Sequence, residues 1–341
     1  MKRFLTNIAL FTTIGLIPLL ILLMGYIRYD PFKVLRPYQD YSYASVLPNR
    51  DYISTEMFIK NHLKYNYNSF ILGSSRTLAF RPYSWKKYLK PTDSPFMFDA
   101  SGESIYGIYT KLKYLDSTHN KIDNAIIVIC RDVTFRYSGN HNGHLFIKHP
   151  ATSLESNLSF QLAFFKAYLS PKFLFGFYMY TFTKEYKPYM SGYIENRKIL
   201  YDTITNEIKI LDQEEEITHH PLRYYKEHAN IFYERHQQSV DSIARINRYQ
   251  LVMLKDIRDI LDKNHTKYKI VISPLYEQVK LHPKDYATLA NIFKDHLYDF
   301  SGKNSFTDSK YNYYETNHFR PQVGDSILRS IYNSIPTTIS K

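Results

Sequence analysis

The sequence predicts an α/β fold, a doubly wound parallel sheet. Three observations predict it. Short apolar runs end in glycine or small polar residues. Amphipathic stretches of helical spacing separate them, and the alternation recurs on both sides of an irregular middle region. Strands alternating with helices imply a parallel sheet, and in such sheets ligands sit beyond the C-terminal strand ends.

The elements follow in order. Residues 69–72 form an apolar run ended by Gly73, a buried strand. Residues 78–89 read as a loop and short helix. Phe96 to Phe98 is a second strand, followed by Asp99-Ala-Ser-Gly102. The spacing of Ile105, Ile108, Leu112 and Leu115 predicts a helix over 104–115. Ala125 to Cys130 is uniformly apolar, as befits a parallel strand covered on both faces. After the middle region, a long helix is expected over 239–261 and a strand over 268–272. A helix over 286–296, a strand over 297–300 and a last helix over 322–332, behind Pro321, complete the pattern.

The middle region, about 135–235, reads as an insertion. Residues 198–202 and 208–211 flank the turn-like pair Thr205-Asn206, a hairpin signal. The aromatic stretch 174–182 reads as a core helix of an inserted cap. Lying against a membrane surface or lining a cleft are its alternatives. Glu214 to Glu216 reads as a solvated acidic turn.

At the N-terminus, Lys2 and Arg3 precede an uncharged run from Phe4 to Ile27. A helix of about 20 apolar residues spans a bilayer core, and no small-x-small cleavage site follows Leu23. Residues 1–27 are therefore expected as an uncleaved transmembrane signal anchor, with a cleaved signal peptide as the alternative. The short basic N-terminus places the rest of the chain outside the cytoplasm. Residues 28–67, punctuated by Pro31, Pro37 and Pro48, read as a linker. Residues 68–334 read as the α/β domain.

Bulk composition agrees with a folded domain. The chain has 341 residues, of which 22% are charged and 16% aromatic, with 33 tyrosines. Disordered chains are poor in aromatics. The net charge of +12 is spread along the chain, with no basic tract interleaved with aromatics, so nucleic acid is not an expected partner. A solvated basic surface accounts for the charge, and an affinity for anionic membranes or acidic glycans is the sharper reading. The single cysteine, Cys130, cannot form an internal disulfide and reads as a buried strand thiol.

Three strand ends carry chemistry. Gly73-Ser74-Ser75-Arg76 would present a hydroxyl at the rim of the sheet, where backbone N–H groups at a helix start can stabilise an oxyanion. Ser101-Gly102-Glu103-Ser104 could add a Gly102 N–H, or be a plain turn and helix cap. In Glu315-Thr-Asn-His318 the carboxylate can reach back to the ring Nδ1 and leave Nε2 free as a general base.

Taken in this order, the motifs resemble those of the SGNH (GDSL-like) hydrolases, over about residues 69–132 and 268–334. The closest likeness is to membrane-anchored envelope proteins of teichoic-acid D-alanine transfer and alginate acetylation. The resemblance implies a flavodoxin-like doubly wound sheet. It assigns Ser75 as nucleophile, Gly102 as second block, His318 as base and Glu315 as the acid where the family has Asp. Two residues depart from the pattern. Glu315 is one methylene longer than Asp. The third strand ends in Cys130-Arg131-Asp132, where many members have Asn, and an ionised Asp cannot donate a hydrogen bond. Arg131 is the candidate replacement for that donor. Losing an oxyanion donor costs on the order of 2.7–4 kcal/mol.

The expected function is an extracytoplasmic esterase or O-acyltransferase, with acetyl as the transferred group and an envelope or exported glycan as substrate. No metal or organic cofactor is called for. A transferase would imply a multi-span membrane acyltransferase as acyl source. The alternative is a catalytically inactive glycan-binding or scaffold protein on the same fold.

Overall fold

The computed structural model describes residues 1–141, 143–235 and 237–333, with side chains left out at Lys2, Leu5, Ile8, Ala9, Thr12 and Ile14. Its helices are α1 (Lys2–Tyr29), α2 (Arg50–Tyr65), α3 (Pro82–Lys86), α4 (Ile105–Ser117), α5 (Asn157–Tyr168) and α6 (Pro171–Thr183). They continue with α7 (Leu211–His219), α8 (Pro221–Glu227), α9 (Arg248–Lys263), α10 (Pro283–Phe293) and α11 (Pro321–Asn333). The strands are β1 (Ser69–Gly73), β2 (Pro95–Met97), β3 (Asn124–Ile129), β4 (Ile199–Tyr201), β5 (Ile208–Ile210) and β6 (Ser239–Val240). After these come β7 (Lys267–Ile272), β8 (Val279–Lys280), β9 (Leu297–Asp299), β10 (Tyr313–Glu315) and β11 (His318–Phe319).

A central sheet of five strands has the order β2-β1-β3-β7-β9, and every pairing is parallel. The fold is mixed α/β. Side chains alternate across a strand, and the sheet buries both faces by that rule. Phe70, Leu72, Ile127 and Ile270 face a core shared with α2, α4, α9 and α10. Ile71, Ile126, Val128 and Val271 face a second core closed by Trp85 and by Val323, Ile327 and Leu328 of α11. The strand order reverses direction between β1 and β3, so their C-terminal ends define the switch-point crevice.

Three expectations on residues 28–67, 214–216 and 239–261 are corrected. Residues 50–65, expected as linker, form α2. Asn49 caps it by accepting from the Tyr52 N–H at 2.8 Å, and no proline falls within it. Its face is buried through Ile53, Met57 and Phe58. The helix expected from 239 starts at Arg248, where Asn247 and Gln250 form a reciprocal capping box. Residues 239–240 instead pair with β8. Glu214 to Glu216 lie in α7 rather than in a turn. The hairpin expected around Thr205-Asn206 is present as the antiparallel pair β4–β5. Cys130 is buried.

The aromatic stretch forms α6. It buries Phe173, Gly176 and Phe177 and leaves Phe175 and Phe182 exposed. With α5 it packs on the C-terminal end of α1, where Tyr26 meets Phe165 and Tyr168, and Tyr29 meets Phe177 and Tyr178. Among the described residues no helix is long and apolar enough to cross a membrane. The expected anchor 1–27 lies partly on side chains outside that set, as does residue 334, the expected end of the domain.

Behind the sheet rim lies a buried ionic cluster. Lys111 Nζ sits 2.9 Å from Asp51 and 3.2 Å from Glu103, and Lys148 bridges the same two carboxylates. Burial alone would raise the Asp51 carboxyl, but Lys111 and Lys148 outweigh it and hold it well below the usual range.

Candidate active site

The first functional turn follows β1. Gly73 adopts φ +147, and a Cβ on it would lie 2.8 Å from the Val128 carbonyl oxygen, so the chain can leave β1 here only with glycine. A 3-10 turn over Ser75–Ala79 starts at once. Thr77 pins it, its single hydroxyl proton lying between Ser74 O at 2.8 Å and Asp99 Oδ2 at 3.1 Å.

The second functional segment is the β10–β11 hairpin. Its two-residue turn, Thr316-Asn317, sets Glu315 directly opposite His318. A cross-strand pair brings side chains together without a long reach, and this absorbs the extra methylene of Glu. Tyr313 and Phe319 anchor the hairpin in the second core. From the insertion, the Tyr225 hydroxyl donates to Tyr313 O at 2.7 Å and the Tyr224 hydroxyl to Tyr314 O at 2.9 Å.

These segments meet. Ser75 Oγ lies 2.7 Å from His318 Nε2. His318 Nδ1 is hydrogen-bonded to Glu315 Oε1. The other carboxylate oxygen accepts the Asn317 N–H at 2.7 Å. Burial alone would raise the Glu315 carboxyl, but the bond to His318, its charge, the Asn317 N–H and Arg76 together hold it below the usual range. An ionised carboxylate only accepts, so Nδ1 carries the proton and Nε2 accepts from the Ser75 hydroxyl.

Arg76 ties the two segments together, a role the sequence reading left unassigned. Its guanidinium grips Asp132 with two bonds of 2.8 Å, and its Nε donates to Asn317 O at 2.8 Å. The serine turn, the end of β3 and the histidine hairpin thus share one buried cation. Asp132, just beyond the end of β3, serves as its counter-ion. The adjacency of Arg76 to the serine and of Asp132 to the third strand end was the available signal. The α11 helix sits against the same turn: a Cβ on Gly324 would run into the Ala79 carbonyl. Gly324→Ala is expected to cost about 1–3 kcal/mol by overpacking. Chemical denaturation checks this, and turnover should fall with it as the serine turn shifts.

The remaining expected residues lie elsewhere. Arg131 is not brought to the serine: its guanidinium is held by Asp241 at 2.6 Å and Glu277 at 2.7 Å. Two carboxylates outcompete a neutral oxyanion site for it, so its expected donor role is corrected. Gly102, with φ +59, lines a neighbouring cavity beside Phe146, whereas Ser101 lines the one that holds Ser75. That cavity, of about 270 Å³, is also bordered by Arg50, Asp99, Glu195, Arg197 and Tyr314. Arg50 is locked by Asp99 at 2.7 Å and by Asn206, under the Tyr201 ring. These residues come from distant segments and carried no local motif.

No family model matches the chain, and no curated protein matches it.

Proposed function

We propose that the chain is a serine-dependent acyl-ester hydrolase or O-acyltransferase of the SGNH type, acting on a cell-envelope or exported polysaccharide. The observation that carries this reading is the relay Ser75–His318–Glu315 at the C-terminal rim of a parallel sheet. The five-strand order, read as 2-1-3-4-5, is that of flavodoxin-like sheets, which supports the same superfamily.

In this mechanism Ser75 Oγ attacks the ester carbonyl while His318 Nε2 takes its proton. In this reading the oxyanion is stabilised by the Ser75 N–H at the start of the 3-10 turn, with Ser101 bordering the same cavity. Collapse breaks the bond to the alcohol, which leaves with the proton from His318 and an acyl-Ser75 behind it. Water or a sugar hydroxyl then gives its proton to His318 and attacks the acyl group; the bond to Ser75 Oγ breaks, and His318 returns the proton to that oxygen. Glu315 holds the ring and balances its transient charge. The test is an acyl adduct on Ser75, detected by peptide mass after quenching the full-length protein with an activated ester. Adding a glycan acceptor separates transfer from hydrolysis.

We place the domain on the outer side of a membrane, anchored by α1. The exposed apolar side chains of α1 (Phe11, Leu20, Ile21) support this, as do those of the α5–α6 hairpin packed on its end (Leu162, Phe175, Phe182). Sedimentation with the membrane fraction, lost on deleting residues 1–27, is the expected result.

A further inference from the structure

The cavity that holds Ser75 does not end at the catalytic residues. A larger cavity, about 480 Å³, adjoins it, and Leu78, Ile208, Ile210 and Tyr314 line both. The two thus share an apolar boundary beside the nucleophile. The outer part adds Leu211 of α7, Tyr83 and Pro321. Several charges at its rim are paired, and the exposed Glu215 and His219 also line it. Arg81 pairs with Asp325, Lys209 with Glu207 at 3.9 Å, and Glu214 with Arg320 at 2.5 Å. Tyr314 turns its hydroxyl to Glu214 at 2.5 Å, which leaves its ring to that boundary. Glu207 on this wall is buried, and burial pushes its carboxyl above the usual value.

The cavity that holds Ser75 is the more polar of the two, bordered by Arg50, Asp99, Ser101, Glu195 and Arg197 among Leu47, Pro48, Ile199 and Tyr201. An ester sends two arms away from its carbonyl. Two adjoining cavities, one more polar than the other, fit an ester whose two arms differ in the same way.

We propose that the apolar cavity receives the acyl chain of the substrate, so that the preferred ester joins a medium-length acyl chain, longer than acetyl, to a hydroxylated alcohol. This rests on the serine-ester chemistry proposed above. The insertion acquires a function by it, since β5 and α7 build the wall of the acyl site and set chain length. Each methylene withdrawn from water is worth about a factor of three to four. Octanoyl over butanoyl esters should therefore gain at least about tenfold in kcat/KM.

The experiment uses the full-length protein in lipid nanodiscs with 4-nitrophenyl acetate, butyrate and octanoate. The wild type is expected to prefer octanoate over acetate at least about tenfold. Thr218→Trp, placed on the exposed α7 wall of the outer cavity, should collapse that preference about tenfold. A measurement free of mutagenesis accompanies it: an octyl fluorophosphonate should label Ser75 faster than its methyl counterpart. Equal or reversed preference in the wild type overturns the proposal. So does a preference unmoved by Thr218→Trp, or a gain found only when the alcohol arm is lengthened. Absence of both turnover and Ser75 labelling sinks the serine-ester reading itself, and this is a different outcome from labelling without chain-length preference.

Discussion

Ser75→Ala is expected to lower ester turnover by about 10⁴- to 10⁶-fold in kcat while the protein keeps its fold. The magnitude is that of removing the nucleophile from comparable serine relays, where the residual rate comes from the oxyanion site and binding alone. The fold survives because Ser75 contributes one side-chain hydrogen bond, to His318, worth about 1 kcal/mol. The turn itself is held by Ser74, Thr77 and Arg76. Turnover of an activated ester and a thermal melt on the same sample check both halves. A scaffold protein would show no turnover in either form.

The second large effect is that of Glu315→Gln, a fall of about 10² to 10⁴ in kcat. The amide is close to isosteric, so packing is kept. What changes is the proton: a carboxylate accepts from Nδ1–H and offsets the charge that His318 gains, whereas an amide does neither reliably. Partial exposure of the pair argues for the lower part of that range. Glu315→Asp should recover part of the rate if the hairpin lets the shorter acid reach the ring. The pH dependence has a definite sign. The folded carboxyl lies below its ordinary value of 4.5, so the stability it contributes is fully present above that value. It is lost as pH falls through the lower folded value. Melting temperatures of wild type and Glu315→Gln should therefore differ above pH 5 and converge in more acidic buffer.

Much of the fold was legible because burial on both faces leaves an unmistakable trace. The runs at 69–72, 125–130 and 268–272 are almost wholly apolar, and each is a strand of the parallel sheet. Of the relay, Glu315 and His318 were legible because they lie close in sequence, and Ser75 because glycine precedes a serine pair at a strand end. Their convergence depends on β1 and the β10–β11 hairpin, which no local pattern joins. Arg131 misled because a cation beside a strand end looks like an oxyanion donor, while its partners, Asp241 and Glu277, lie far along the chain. Residues 50–65 misled in the other direction. Their face is apolar, but prolines on the N-terminal side dominated the reading. The polar lining of the Ser75 cavity was invisible, since Arg50, Asp99 and Asn206 meet only once the insertion folds over the sheet edge.

The measurement closest to the central claim is covalent trapping. Purified full-length protein is treated with a serine-reactive fluorophosphonate and the adduct is located by peptide mass. One adduct per chain on Ser75, blocked in Ser75→Ala and slowed in His318→Ala, is what an activated hydroxyl requires. Modification spread over other serines, or a Ser75 that reacts as fast without its imidazole as with it, would show that this hydroxyl is an ordinary one.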